Sequence, residues 1–299
     1  MPFATAPVPA RSVEVSPLGY LRDLFLLAKP RLSGLVVLTS AGGLALAPGR
    51  IGLARAVLTI AATAAVVGAA NALNNYLERD VDGRMRRTRD RPLPSGRVEP
   101  FVALALGLLV PAFALPVLAL VATPLAAMLA FLALVVYVAV YTPMKPRSTA
   151  ALFVGAFPGA IPPLIGWTAV TGRLDAGGLA LFALLFVWQL PHFLAISIYL
   201  AEDYARGGLR VFALVHGEPA TRGWIAATSA AVLPASLVLV PLGLAGRAYG
   251  AVALLAGFAL LAYALAGLHG TGGRWARNLF LATLLHLTVL FAALLVLPR

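Results

Sequence analysis

AVLTIAATAAVVGAANALNNYLE, residues 56–78, is an apolar rod that turns polar only in its last two turns. Its first fifteen positions carry no charge. The run matches the ~20 mostly apolar residues that a bilayer-spanning helix needs. It lacks the strict alternation of a barrel strand and the polar stripe of a helix on a soluble core. Its last eight residues include three Asn and a Glu. Polar chemistry is thereby placed at one membrane face. Pumps and many transporters instead keep ionisable groups near the midplane.

The rest of the chain repeats the apolar theme. Of 299 residues, 61% are hydrophobic and 11% charged, where an average soluble domain carries about 25% charged residues. So few charges cannot cover the surface of a soluble enzyme of this length, and the apolar content excludes a disordered chain. The lack of cysteine excludes a disulfide-built secreted domain. Nine apolar stretches are expected to span, at roughly 32–49, 56–78, 100–120, 123–142, 150–171, 177–200, 224–246, 250–268 and 279–297. The predicted class is an all-α polytopic membrane protein. Prolines such as Pro111 and Pro116 fall within spans, where neighbouring helices re-satisfy the backbone.

The formal charge of +12 is unevenly placed. With the N-terminus inside, the inner segments hold Arg11, Arg22, Lys29 and Arg31, seven Arg between 79 and 97, Lys145, Arg147, Arg206, Arg210, Arg222, Arg274 and Arg277. Only Arg50, Arg55, Arg173, Arg247 and Arg299 fall outside. This bias predicts a cytoplasmic N-terminus and an outside C-terminus. No cleavable signal is evident. Residues 1–28 are expected to form a cytoplasmic tail, with an interfacial helix around 21–28, and 29–299 a single transmembrane domain. Nothing points to nucleic acid.

The acids cluster. Five of eleven lie between 78 and 99: Glu78, Asp80, Asp82, Asp90 and Glu99. Asn74, Glu78 and Asp82 are spaced i, i+4, i+8, which puts them on one helical face, with Asn71 and Asn75 flanking the stripe. Hard oxygen donors of this kind suit Mg²⁺, which is commonly held by one or two carboxylates plus substrate phosphates. The Arg-rich run that follows, with Arg87 and Arg91, offers planar forks for phosphate oxygens. Insertion topology alone accounts for much of Arg84, Arg86 and Arg89. It does not account for the Asn–Glu–Asp stripe. Metal ligands beside phosphate-binding cations fit a reaction in which diphosphate leaves.

A second cluster runs from Trp188 to Phe212. Glu202 and Asp203 lie just past a span and are candidate further metal or diphosphate ligands. Tyr199 precedes Asp203 by four residues and is expected on the same face. His192 sits deeper, with Trp188 and Gln189 nearby; as a lone His in an apolar helix it is as well read as a packing residue as a functional one. A third patch, Tyr141-Thr142-Pro143-Met144-Lys145, reads either as an interfacial anchor or as a phosphate-directed Lys; the chain has only two Lys. The other, in Lys29-Pro30-Arg31, echoes Lys145-Pro146-Arg147.

These residues resemble the UbiA superfamily of intramembrane prenyltransferases, and within it the heme-directed branch. Its first motif, Asn-x3-Asp-x3-Asp, stands here as Asn74-x3-Glu78-x3-Asp82, with Glu in place of the first Asp. The matches continue through Arg87-Thr88, Arg91-Pro92, Tyr141-Thr142 with Lys145, the Gly155–Trp167 run, Trp188–Phe193 and Glu202–Ala205, in order along most of the chain. The second Asp-x3-Asp is incomplete, with Tyr199 where its first Asp would be. Ala282, Thr283 and His286 stand where the family has a Ser/Tyr-containing helix, and they receive no role.

The resemblance implies transfer of farnesyl from farnesyl diphosphate to a vinyl group of protoheme IX (heme B), with water addition, giving heme O. Heme is then a substrate and Mg²⁺ the cofactor. It implies Asn74, Glu78, Asp82, Asp203 and Lys145 as catalytic, with Asn74, Glu78, Asp82, Asp203 and Glu202 as metal ligands. Asn75, Arg87, Arg91, Tyr141, His192, Tyr199, Lys29 and Arg31 would bind diphosphate or heme. It places the protein in a bacterial inner membrane with a cytoplasmic active site, and makes a downstream heme O oxygenase a candidate partner. Two alternatives stay open: a related enzyme with another aromatic acceptor such as a hydroxybenzoate, and a membrane transporter.

Overall fold

The computed structural model describes residues 16–270 and 273–297; the expected tail as far as residue 15, with Arg11, and the C-terminal Arg299 lie outside them. All described elements are helical. They are α1 (Pro17–Leu27), α2 (Pro30–Leu46), α3 (Leu53–Arg84), α4 (Pro100–Val121), α5 (Pro124–Val135), a π-helical turn (Val136–Tyr141), α6 (Thr142–Met144), α7 (Ala151–Thr171), α8 (Ala176–Tyr199), α9 (Ala201–Arg206), α10 (Phe212–His216), α11 (Glu218–Leu237), α12 (Arg247–Ala266) and α13 (Gly273–Val296).

The starts of these helices are written in the sequence. Proline opens α1, α2, α4 and α5, where its missing N–H is no loss and its fixed φ already suits a helix. Side chains cap others. Ser16 Oγ accepts from Gly19 N–H, Thr123 Oγ1 from Ala126 N–H and a carboxylate oxygen of Asp175 from Gly178 N–H.

Among the described residues seven helical segments are long and apolar enough to cross a membrane, one of them Pro124–Met144, formed by α5, the π-helical turn and α6 together, and α1 with α2, bent by 49°, makes an eighth if taken as one broken span. The remaining apolar stretch, 224–246, is α11 and the turns after it. This helix starts six residues before the apolar stretch and carries Glu218, Arg222, Thr228, Ser229 and Ser236 along its length. Arg222 is buried: it pairs with Glu218, reaches the carbonyl of Gly267, and its guanidinium lies 4.4 Å from the centre of the Trp275 ring.

Helix α3 packs on α4, α7 on α2 and α8, and α8 on α11 and α13. Helices α2 and α7 approach each other closely. A Cβ on Gly166 would lie 1.9 Å from the Ser40 carbonyl oxygen, and one on Gly43 would lie 2.1 Å from that of Pro163. The two backbones touch, as small residues permit in membrane bundles. Gly166→Ala is therefore expected to destabilise the bundle by about 1–3 kcal/mol, read as a lower thermal midpoint in detergent; an unchanged midpoint would show that the helices part freely.

Candidate active site

The polar end of α3 is built as a ladder. Asn74, fully buried, accepts from Lys29 Nζ at 2.5 Å through Oδ1 and donates to Thr142 Oγ1 at 2.9 Å. One turn on, Glu78 pairs with Lys145 Nζ at 2.7 Å. One turn further, Asp82, only 1% exposed, pairs with Arg91 Nη1 at 2.7 Å. Each oxygen-bearing residue of the stripe thus meets a cation from a different part of the chain.

Local structure explains how each cation arrives. Lys29 lies between α1 and α2 in the left-handed region, with φ 49°. That conformation costs a non-glycine residue roughly 1–2 kcal/mol. Arg91 returns to the ladder through the turns that follow α3, where Thr88 Oγ1 donates to the Asp82 carbonyl. Arg97 holds those turns against α1 through two hydrogen bonds to Asp23, at 2.8 and 3.2 Å. Lys145 follows the π-helical turn and lies 4.6 Å from the centre of the Tyr141 ring. Burial alone would lower its pKa, but the Tyr141 and Glu78 oxygens beside it reverse the sign and hold it above the usual lysine value. Lys145 therefore stays charged across the working pH range.

The second cluster is arranged differently. A shared face for Tyr199 and Asp203 requires one continuous helix, but α8 ends at Tyr199, and Leu200 (φ −110°, ψ 20°) separates it from α9. Tyr199 is exposed, and Glu202, 82% exposed, pairs with Arg206. Asp203 is buried. Its two oxygens accept from the backbone N–H groups of Arg86 at 2.7 Å and Arg87 at 3.4 Å, with Arg206 3.7 Å away. Asp203 thus clamps the Arg-rich turn over the end of α3. Tyr204, given no role by the sequence, is half-buried, and desolvation raises its pKa.

Asn71 and Asn75 anchor the α1–α2 junction. Asn71 Nδ2 donates to Ser33 Oγ at 3.0 Å, and Asn75 Nδ2 donates to the Leu27 carbonyl at 2.9 Å. Tyr137 donates its hydroxyl to Asn71 Oδ1 at 3.3 Å. The side chains of Arg31 and Arg87 are exposed.

Beside Asn71 opens a cavity of about 240 Å³, lined mostly by apolar side chains of α2, α3, α5, α7 and α8. Tyr137, Tyr141, Gln189 and His192 are among its polar edges, and Thr39, Thr63 and Ile165 line it further from the charged ladder. His192 Nδ1 lies 2.8 Å from Thr283 Oγ1, and Trp188 Nε1 donates to the Thr283 carbonyl at 2.9 Å. Thr283 is a residue that the sequence left without a role. On the same helix His286 is buried and both its ring nitrogens lack a hydrogen-bond partner. A buried polar group without a partner costs about 1–3 kcal/mol. His286→Leu is therefore expected to raise the thermal midpoint, by on the order of 1 kcal/mol in stability; a lower midpoint would mean that the imidazole makes an interaction of its own.

Among the described residues no three His, Asp or Glu side chains lie close enough to hold an ion by themselves. The chemistry of the ladder nevertheless fits Mg²⁺. Asn74, Glu78 and Asp82 present hard oxygens on one face, and this ion is usually completed by substrate phosphates and water. Glu202 does not fit the set, because it is exposed.

Comparison with known proteins matches the family and the fold. The UbiA prenyltransferase family profile matches residues 35–296. A protein named protoheme IX farnesyltransferase from Anaeromyxobacter sp. (strain Fw109-5) is 72% identical over 294 residues, covering 98% of each chain. One of the same name from Myxococcus xanthus (strain DK1622) is 50% identical, covering 91% of this chain and 93% of its own. A UbiA homologue from Archaeoglobus fulgidus, solved bound to GPP and Mg²⁺, shares the fold with a TM-score of 0.65 at 16% identity, covering 92% of this chain and 99% of its own. A digeranylgeranylglyceryl phosphate synthase structure shares it with a TM-score of 0.78 at 14% identity, covering 93% and 98%. On the extent of these matches, the chain belongs to the UbiA prenyltransferase family.

Proposed function

We propose that the protein transfers a farnesyl group from farnesyl diphosphate to a vinyl group of protoheme IX, with addition of water, to give heme O and diphosphate. One observation carries the chemistry: three oxygen–cation contacts stacked along one face of α3 beside an apolar cavity. The acceptor is supported by the named activity of relatives up to 72% identical over nearly the whole chain.

In this reading the ladder exchanges partners when substrate arrives. Lys29, Lys145 and Arg91 turn from the protein oxygens to the diphosphate oxygens. Asn74, Glu78 and Asp82 are then free to hold Mg²⁺. When bound, that ion neutralises the charge developing on the diphosphate as the C–O bond breaks. Tyr141 borders both the ammonium and the cavity, and fixes where the allylic carbon lies. The cavity walls keep water from that carbon until the vinyl group has attacked. Water then captures the cation on the porphyrin side chain and releases a proton. Asp203 keeps the Arg86–Arg87 backbone over the mouth. The reading places the protein in the bacterial inner membrane with this mouth cytoplasmic.

The test is to incubate the purified protein with heme B, farnesyl diphosphate and Mg²⁺ and to weigh the porphyrin product. A mass gain of one farnesyl plus one hydroxyl is expected. Unchanged heme, or consumption of a hydroxybenzoate in its place, would overturn the reading. Chelating divalent cations is expected to stop turnover and added Mg²⁺ to restore it.

A further inference from the structure

The hydrogen bonds around His192 fix its tautomer. The Thr283 hydroxyl has one proton, and it donates that proton to the Phe280 carbonyl at 2.7 Å. The same oxygen lies 2.8 Å from His192 Nδ1, so it must accept there. Nδ1 therefore carries the ring proton, and Nε2 carries a lone pair. No hydrogen bond occupies Nε2 among the described residues.

The ring is also held in place. Trp188 stacks on one neighbouring side with centroids 5.0 Å apart, and Phe280 lies at 4.6 Å. Trp188 is itself fixed by its bond to the Thr283 carbonyl. The imidazole lines the apolar cavity. A neutral imidazole with one nitrogen donating to a fixed oxygen and the other free is the arrangement found in metal-ligating histidines, where the outer partner sets the tautomer and the ring angle. The cavity residues named here supply no second ligand of that kind, so the metal has to arrive inside its own macrocycle.

We propose that His192 Nε2 ligates the iron of the tetrapyrrole acceptor, with Thr283 as the residue that positions it. This rests on the reading of heme as substrate. Iron ligation would fix one point of a flat, nearly symmetric molecule. The ladder cations are taken by the diphosphate, so the propionates, on the ring edge opposite the vinyls, point away from the ladder. A single vinyl edge would then face the diphosphate mouth.

The experiment uses the full chain in detergent micelles or nanodiscs with ferric heme B and no prenyl donor, read by Soret absorption and electron paramagnetic resonance. Wild type is expected to give the spectrum of histidine-ligated heme. His192→Ala is expected to lose that signature while still binding heme, and added imidazole is expected to restore it. His192→Cys, a smaller side chain that the cavity accommodates, is expected to change the signature to that of a sulfur ligand. Thr283→Val is expected to broaden or shift the signature, because the ring then loses its tautomer lock. An unchanged spectrum in His192→Ala or His192→Cys, with heme bound, overturns the assignment. Turnover measured in parallel separates the two readings. A wild type that prenylates heme but keeps its spectrum in the variants overturns only the iron ligand; a wild type that neither binds nor prenylates heme overturns both.

Discussion

Asp82→Asn is expected to lower kcat for prenyl transfer by about 10²–10³-fold, the usual scale for removing one preorganised electrostatic group, while the protein stays folded and membrane-inserted. The substitution is close to isosteric. It keeps an oxygen for Arg91 to bond, and the Thr88 contact uses the backbone carbonyl and is untouched. Only the charge is lost. Truncation to Ala is the harsher variant, because it strands the Arg91 guanidinium that now sits 2.7 Å from the carboxylate. The Arg91 side chain is 27% exposed, so water takes up part of that loss. The measurement is kcat at saturating Mg²⁺ together with a thermal midpoint. Turnover within a few-fold of wild type would remove Asp82 from the metal assignment.

The second large effect concerns Lys145 and Glu78, and it separates stability from activity. Lys145→Met leaves the Glu78 carboxylate, whose side chain is only 12% exposed, without its cation. Removing one member of a buried pair costs about 3 kcal/mol or more. The double variant Lys145→Met with Glu78→Gln should recover most of that stability, since no charge is left unpaired. It should not recover turnover if, as proposed, Lys145 binds the diphosphate and Glu78 the metal. A double-mutant cycle on the thermal midpoint gives the coupling between the two directly. If the double variant is as unstable as Lys145→Met alone, the pair is not what holds α3 to the chain after the π-helical turn.

Much of this was legible in the residues. Long uncharged runs are sufficient to predict spanning helices, because only a helix satisfies its backbone within one segment in lipid, and a barrel strand would alternate. The i, i+4, i+8 spacing of Asn74, Glu78 and Asp82 is local, so the face could be read without a fold. Their partners could not. Lys29 and Lys145 come to α3 from 45 and 67 positions away, and Arg91 returns through turns whose path no periodicity encodes. The Tyr199–Asp203 face failed for a local reason: the spacing holds only in an unbroken helix, and the break at Leu200 carries no Gly or Pro to announce it. The bond between His192 and Thr283 joins residues 91 positions apart. A threonine in an apolar helix gives no sign of what it meets.

The π-helical turn at Val136–Tyr141 has a consequence for how this chain tolerates change in length. A π-helix accommodates one residue more per turn than an α-helix. Here that surplus lies between the lipid-embedded part of the span and Lys145, and the Tyr137 carbonyl accepts from both the backbone and the hydroxyl of Thr142. Each residue of an α-helix advances the direction of its side chain by about 100°. Deleting a single residue there would give a more regular helix, yet it would swing Thr142 away from Asn74 and Lys145 away from Glu78. The chain therefore carries a phase offset of one residue: a local irregularity that, by angle alone, keeps Thr142 and Lys145 in step with Asn74 and Glu78 on α3.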